Sequence, residues 1–145
     1  MRKILVLGMV WGLCSYSVSA QNWVSDFDEA QQIAFQHNQN IVLVFAGSDW
    51  CAPCIKLERQ VWSSEQFQKL AKEHFIMLKA DFPRKKQNKL SVQQQQKNDQ
   101  LADRYNQQGN FPLVVVLNPQ GQVLGKTGYK RLSPTAYFEH LKEFE

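Results

Sequence analysis

The sequence predicts a single α/β domain in which a central mixed β-sheet is flanked by helices. Three observations point there. Residues 41–45 (Ile-Val-Leu-Val-Phe) and Leu113–Leu117 are unbroken apolar runs bounded by polar or turn residues, as strands buried on both faces should be. Segments of helical period lie before and after the first run, which begins a βαβ alternation. Asn118-Pro119-Gln120-Gly121 is turn chemistry that joins the second run to a following strand as a hairpin.

In chain order, Ser25 or Asp26 is placed to cap a helix over Phe27–His37, with Phe27, Ala30, Ile33 and Ala34 on one face and Asn38-Gln39-Asn40 ending it. The strand at residues 41–45 is followed by Ala46-Gly47-Ser48. Cys51-Ala52-Pro53-Cys54 then opens a helix through residues 55–61, with Leu57 and Val61 four apart and Pro53 in the first turn, where a missing N–H costs little. Ser63 or Ser64 caps the next helix, which keeps Phe67, Leu70 and Ala71 on one side before the strand Phe75–Asp81. Residues 82–98 are polar and basic and grade into a helix ending near Tyr105. After Leu113–Leu117 comes a strand over residues 122–126. Ser133 and Pro134 then start a terminal helix whose Tyr137, Phe138, Leu141 and Phe144 can cover one sheet face.

The chain has 145 residues, 43% of them apolar and 12% aromatic, enough for one core and no second domain. Its first twenty residues differ from the rest: Arg2 and Lys3 precede the apolar run of residues 4–13, and Val18-Ser19-Ala20 closes the segment. This reads as a cleavable secretory leader over residues 1–20, with residues 21–145 as the folded domain. The apolar run is shorter than the roughly 20 residues a membrane span needs, which disfavours an anchor. Leu13 and Trp11 are poor neighbours for a lipid-modified cysteine, so Cys14 is expected to leave with the leader. Without Arg2 and Lys3 the formal charge falls from +4 to +2, too small an excess to imply a nucleic-acid partner.

Two cysteines then remain, an even number in an export setting where disulfides persist. Thiol–disulfide exchange needs one ionised, exposed sulfur and a second thiol positioned to resolve the mixed disulfide. A CxxC at a helix start supplies both: Cys51 faces free backbone N–H groups as the nucleophile, and Cys54, one turn on, resolves. Lowering a thiol pKa by two units takes about 2.7 kcal/mol, whereas a helix terminus supplies ~0.3–1 and at most ~2. Hydrogen bonds from the Cys54 thiol and nearby backbone donors to the Cys51 thiolate are therefore expected as well, with Trp50 shielding one side. A purely structural disulfide would be a poor staple, since a four-residue loop gives only about 2 kcal/mol against about 3 for fifteen residues. A structural zinc site would need four ligands, and His37, His74 and His140 are scattered along the chain.

Trp50-Cys51-Ala52-Pro53-Cys54 after a buried strand resembles the active site of the thioredoxin family, and Phe111-Pro112 before an apolar strand resembles its cis-proline segment. The order of elements over nearly all of residues 21–145 is similar too. The resemblance implies a thioredoxin-like fold, a cis Pro112 beside the dithiol, and a Phe111 backbone that pairs with an extended substrate segment; ordinary core packing is the alternative role for Phe111. It also implies a redox-active Cys51–Cys54 disulfide with Trp50, Phe111 and Pro112 as the substrate-binding residues.

This sequence departs from the family pattern in three places. Val44 and Phe45 stand where a buried acid helps deprotonate the second cysteine; Asp49 or a water is then the candidate for that proton, and Lys79 lies near the site if the strand register matches. Ala52 replaces the usual glycine, which leaves the redox direction open, although the motif leans towards a reductase. The basic segment Arg84, Lys85, Lys86 and Lys89 lengthens the connection after the second strand, either as a partner contact or as solvated surface. The function expected is an exported thiol–disulfide oxidoreductase, periplasmic in a Gram-negative host, acting on protein substrates without a bound cofactor and receiving electrons from another dithiol protein, one borne in the membrane. A disulfide oxidase or isomerase is the rival within that class, and a copper-binding protein on the same scaffold is the rival outside it.

Overall fold

The computed structural model describes residues 22–145; the expected leader and Cys14 lie outside the described residues. Strand β1 (Asn40–Ala46) is the middle of the molecule because its side chains from Ile41 to Ala46 are all buried. A strand with apolar groups on both faces can lower its free energy only by being covered on both, and the rest of the chain provides the two covers. Strand β2 (Phe75–Asp81) pairs parallel to β1, while β3 (Leu113–Leu117) pairs antiparallel to its other edge and β4 (Val123–Thr127) antiparallel to β3. The sheet order is β2-β1-β3-β4, a mixed sheet as the sequence predicts.

Side-chain alternation along β1 divides the core. Val42, Val44 and Ala46 face a layer made by α2 (Ala52–Leu57), α3 (Glu65–His74) and α5 (Pro134–Lys142). Ile41, Leu43 and Phe45 face α1 (Phe27–His37) and α4 (Val92–Tyr105). Both cysteines belong to the first layer.

Capping residues fix where the helices begin. Asp26, not Ser25, accepts from the Glu29 amide at 3.0 Å, and Ser64, not Ser63, accepts from the Phe67 amide at 3.1 Å. Ser91 and Ser133 cap α4 and α5 in the same way. Asn38, in the left-handed region at φ 52°, turns the chain out of α1 into β1.

The structure departs from the sequence reading at three elements. The helix after the dithiol is regular only to Leu57, and Glu58–Trp62 forms a π-helical turn. The wider turn lets two consecutive residues, Val61 and Trp62, both enter the core, where the Trp62 ring meets Trp23, Phe67 and Tyr137. Helix α4 starts at Val92, well inside the polar stretch, because Ser91 is an available cap and Asn98, Leu101 and Tyr105 supply a buried face. Strand β4 begins one residue late because the Gln122 amide is taken into the preceding turn by Asn118 Oδ1. A segment left unassigned from sequence also joins the sheet: Val24 bridges Leu78 in parallel beside β2, which sets Trp23 against the first layer.

Leu43 lies fully buried in the central strand. Leu43→Ala is expected to lower the unfolding free energy by about 2–5 kcal/mol, read by urea denaturation, with the larger values if the cavity stays open.

Candidate active site

The site begins where β1 runs out. After Ala46 the Gly47 carbonyl accepts from the amides of Trp50, at 3.3 Å, and Cys51, at 2.9 Å, which closes a tight turn. A Cβ on Gly47 would lie 2.3 Å from the Trp50 indole, so only glycine lets that ring fold back over the turn. The indole is then fixed by its Nε1–H, which donates to the Phe82 carbonyl at 2.7 Å, and by edge contact with Phe111 at 5.4 Å between ring centres. The Arg84 guanidinium covers its face at 3.6 Å.

Cys51 is the N-cap of α2. Its Sγ accepts from the Cys54 amide at 3.3 Å, so the sulfur occupies the place where an oxygen of Ser or Asp usually satisfies a free helix donor. The cysteines are joined as a disulfide with Cα atoms 5.2 Å apart. The donor inferred from sequence is thus present as a backbone N–H.

One expectation needs correction. The sequence reading calls for an exposed Cys51 sulfur, but in the disulfide form Cys51 is 4% exposed and Cys54 5%, because both pack into the first core layer, with Trp50 and Phe111 closing against it. The surface at the motif is instead made by Ala52 and Pro53. The Phe111–Pro112 peptide is cis, as the resemblance implies. Leu113 pairs with Phe45, so Pro112 lies at the same end of the sheet from which the Gly47–Cys51 turn departs. The structure therefore brings Trp50, Cys51, Cys54, Phe111 and Pro112 together at one edge.

The two candidates for handling the second thiol's proton fare differently. Asp49 accepts from the amides of Arg84 and Lys85, both at 2.9 Å, and from the Asn88 side chain at 3.0 Å. The Arg84 amide first, and the Asn88 and Lys85 donors with it, hold its carboxyl below the usual aspartate value. Its oxygens hold the basic loop in place, so Asp49 anchors that loop.

Lys79 does lie at the site. It is in register with Val44, on the dithiol side of the sheet, and its Nζ reaches Glu58 Oε2 at 2.8 Å while resting 4.1 Å from the centre of the Trp23 ring. Cys54, Glu58, Arg59 and Lys79 line one partly open cavity of about 110 Å³, together with Ala46, Ser48 and Ile55. Sequence reasoning missed Glu58. The available signal was its spacing, four residues after Cys54 and hence on the same helical face. Among the described residues no group of three or more His, Cys, Asp or Glu side chains stands close enough to hold a metal ion, and no helix is long and apolar enough to cross a membrane.

Comparison with known proteins agrees with this geometry. A family model described as thioredoxin-like matches residues 22–119. The chain is 36% identical over 120 residues to the disulfide bond reductase DsbH of Chlamydia pneumoniae, covering 83% of this chain and 70% of that protein. A solved structure of a DsbH oxidoreductase superposes with a TM-score of 0.80 at 29% identity, covering 96% of this chain and 94% of that one. A thioredoxin from Thermus thermophilus, at 18% identity and a TM-score of 0.63, shares the fold.

Two measurements check the local account. Gly47→Ala is expected to cost about 1–3 kcal/mol in urea unfolding through overlap with the indole, and to cost clearly less in a Trp50→Ala background. Asp49→Ala is expected to remove hydrogen-exchange protection from the Arg84 and Lys85 amides while leaving that of β1 intact.

Proposed function

As a member of the thioredoxin-like family this chain is a thiol–disulfide oxidoreductase, and we propose that it runs in the reducing direction, on protein disulfides outside the cytoplasm. The observation that carries the reading is the Cys51 sulfur held as the cap of α2, bonded to Cys54 and flanked by Trp50 and the Phe111–Pro112 segment. The reductase named among its relatives supports the direction, and residues 1–20 support export.

In the reduced enzyme, the Cys51 thiolate attacks one sulfur of a substrate disulfide and forms a mixed disulfide, and the other substrate sulfur leaves as a thiolate that takes a proton from solvent. The backbone of Phe111 holds the extended substrate segment, and Pro112 and Trp50 shape the groove. A recessed sulfur pair makes this docking a precondition of attack. Cys54 then loses its proton to the Glu58 carboxylate across the shared cavity, directly or through one water. Lys79 keeps Glu58 pointed into that cavity. The Cys54 thiolate attacks Cys51 Sγ, the second substrate thiol is released, and the Cys51–Cys54 disulfide of the present structure forms. Two electrons have passed to the substrate, and a second dithiol protein must return them to the enzyme by the same exchange.

Cys51→Ser is expected to abolish reduction of insulin disulfides driven by dithiothreitol, while Cys54→Ser accumulates mixed disulfides; activity that survives the first change removes Cys51 as nucleophile. Glu58→Gln is expected to slow resolution of the mixed disulfide by about ten- to a hundredfold at neutral pH, with little effect on its formation. The deficit should close as pH rises towards about 8.5, where an ordinary thiol ionises unaided. A uniform loss at every pH would mean that Glu58 is only structural.

A further inference from the structure

Two loops flank the dithiol edge, and their charge is of one sign. Between Asp81 and Asp99 the sequence holds no acidic residue, and none again between Asp103 and Glu139. Within the first gap Arg84, Lys85, Lys86 and Lys89 are all exposed, and within the second so are Lys130 and Arg131. None of these six cations forms an ion pair among the described residues.

Both loops are fastened, which a run of charge serving solubility alone does not require. Asp49, one residue before Trp50, binds the first through two backbone amides and the Asn88 side chain, so it fixes the backbone without covering the cationic side chains. This sets Arg84 on the ring of Trp50, the residue before Cys51. The second loop is packed so closely on the cis-proline segment that a Cβ on Gly128 would lie 3.2 Å from the Pro112 carbonyl. The Tyr137 hydroxyl donates to the Gly128 carbonyl at 2.8 Å, and the Tyr129 hydroxyl reaches Gln60, just beyond the dithiol helix, at 2.9 Å. Lys130 and Arg131 therefore leave the chain next to the residues assigned to hold substrate.

We infer that these loops form a cationic docking rim which selects protein substrates carrying Asp or Glu beside the disulfide to be reduced. The inference rests on the reductase reading and gives it a substrate class. Acidic side chains flanking the target cysteine would meet the rim as the extended segment settles along Phe111–Pro112. Opposite charge at that edge raises the rate of encounter and fixes the register of docking. An anionic membrane would also be drawn to six exposed cations, but the placement of the rim around the substrate groove favours a protein partner.

The test uses three disulfide-linked peptides, identical except that Asp, Asn or Lys flanks the target cysteine, reduced by the dithiothreitol-driven protein. At low salt the Asp peptide is expected to react roughly tenfold faster than the Lys peptide, with the Asn peptide between them. The difference should collapse near 1 M salt, where the screening length is about 3 Å. Replacing Lys85, Lys86 and Lys89 together by Glu should reverse the ranking, and Lys130→Glu with Arg131→Glu should weaken it independently. Equal rates at low salt, or a ranking indifferent to both variants, overturns the rim. Binding of cysteine-free, fluorescently labelled analogues separates the two proposals: an acidic preference in binding without any exchange sinks the reductase reading and keeps the rim. Tight binding to phosphatidylglycerol vesicles with no peptide preference overturns the rim in favour of a membrane surface.

Discussion

The site depends on one atom serving as a helix cap and a reagent at once. Cys51 Sγ accepts the Cys54 amide at the start of α2, so a donor that needs a partner in any case is directed at the sulfur. In the reduced enzyme the same donor lies against a thiolate, and a hydrogen bond to a charged acceptor is stronger than one to a neutral sulfur. The difference favours ionisation of the Cys51 sulfur. For the cap to form, the chain must leave β1 and reverse within a few residues, which is why the Gly47 carbonyl holds the Cys51 amide and the Trp50 indole lies where a side chain on Gly47 would be.

On the mechanism proposed above, proton handling at the second cysteine moves off the strand. Val44, in the central strand, keeps the first core layer apolar, and a carboxylate there would have to be removed from water on all sides. Glu58 is partly exposed, with a lysine at hydrogen-bond distance, and still borders the cavity that Cys54 lines. Placing the acid on the helix lowers the desolvation cost and preserves access to the buried thiol. The π-helical turn that begins at Glu58 also delivers Trp62 into the core, so the position of Glu58 and the aromatic packing around Trp23 are set by one local irregularity.

Asp49 connects chemistry to recognition in a different way. Its neighbour in sequence, Trp50, covers the dithiol, while its own carboxylate ties down a loop more than thirty residues away. A single turn after β1 thus positions Cys51 and fastens the basic loop, and the Arg84 guanidinium lying on the indole is the point of contact between them.

Much of this was determined locally by the sequence. The apolar runs set β1 and β3 because a strand covered on both faces shows no alternation, and Ser133-Pro134 and Asp26 placed helix starts by chemistry that acts within three residues. The CxxC, the tryptophan before it and Phe111-Pro112 marked residues that the structure gathers at one edge. What only the tertiary structure decided involves groups distant along the chain. Whether Lys79 reaches the dithiol side depends on the β1–β2 register, whether Asp49 is free depends on where residues 84–88 return, and Glu58 becomes a base candidate only once it meets Lys79 of β2. The exposure of Cys51 belongs with them, because a cap position says where a sulfur points along a helix and nothing about what packs over it. Hydrophobic period and capping are short-range and can be read from neighbours, whereas a carboxylate's partner and a thiol's burial exist only once separate segments have packed together.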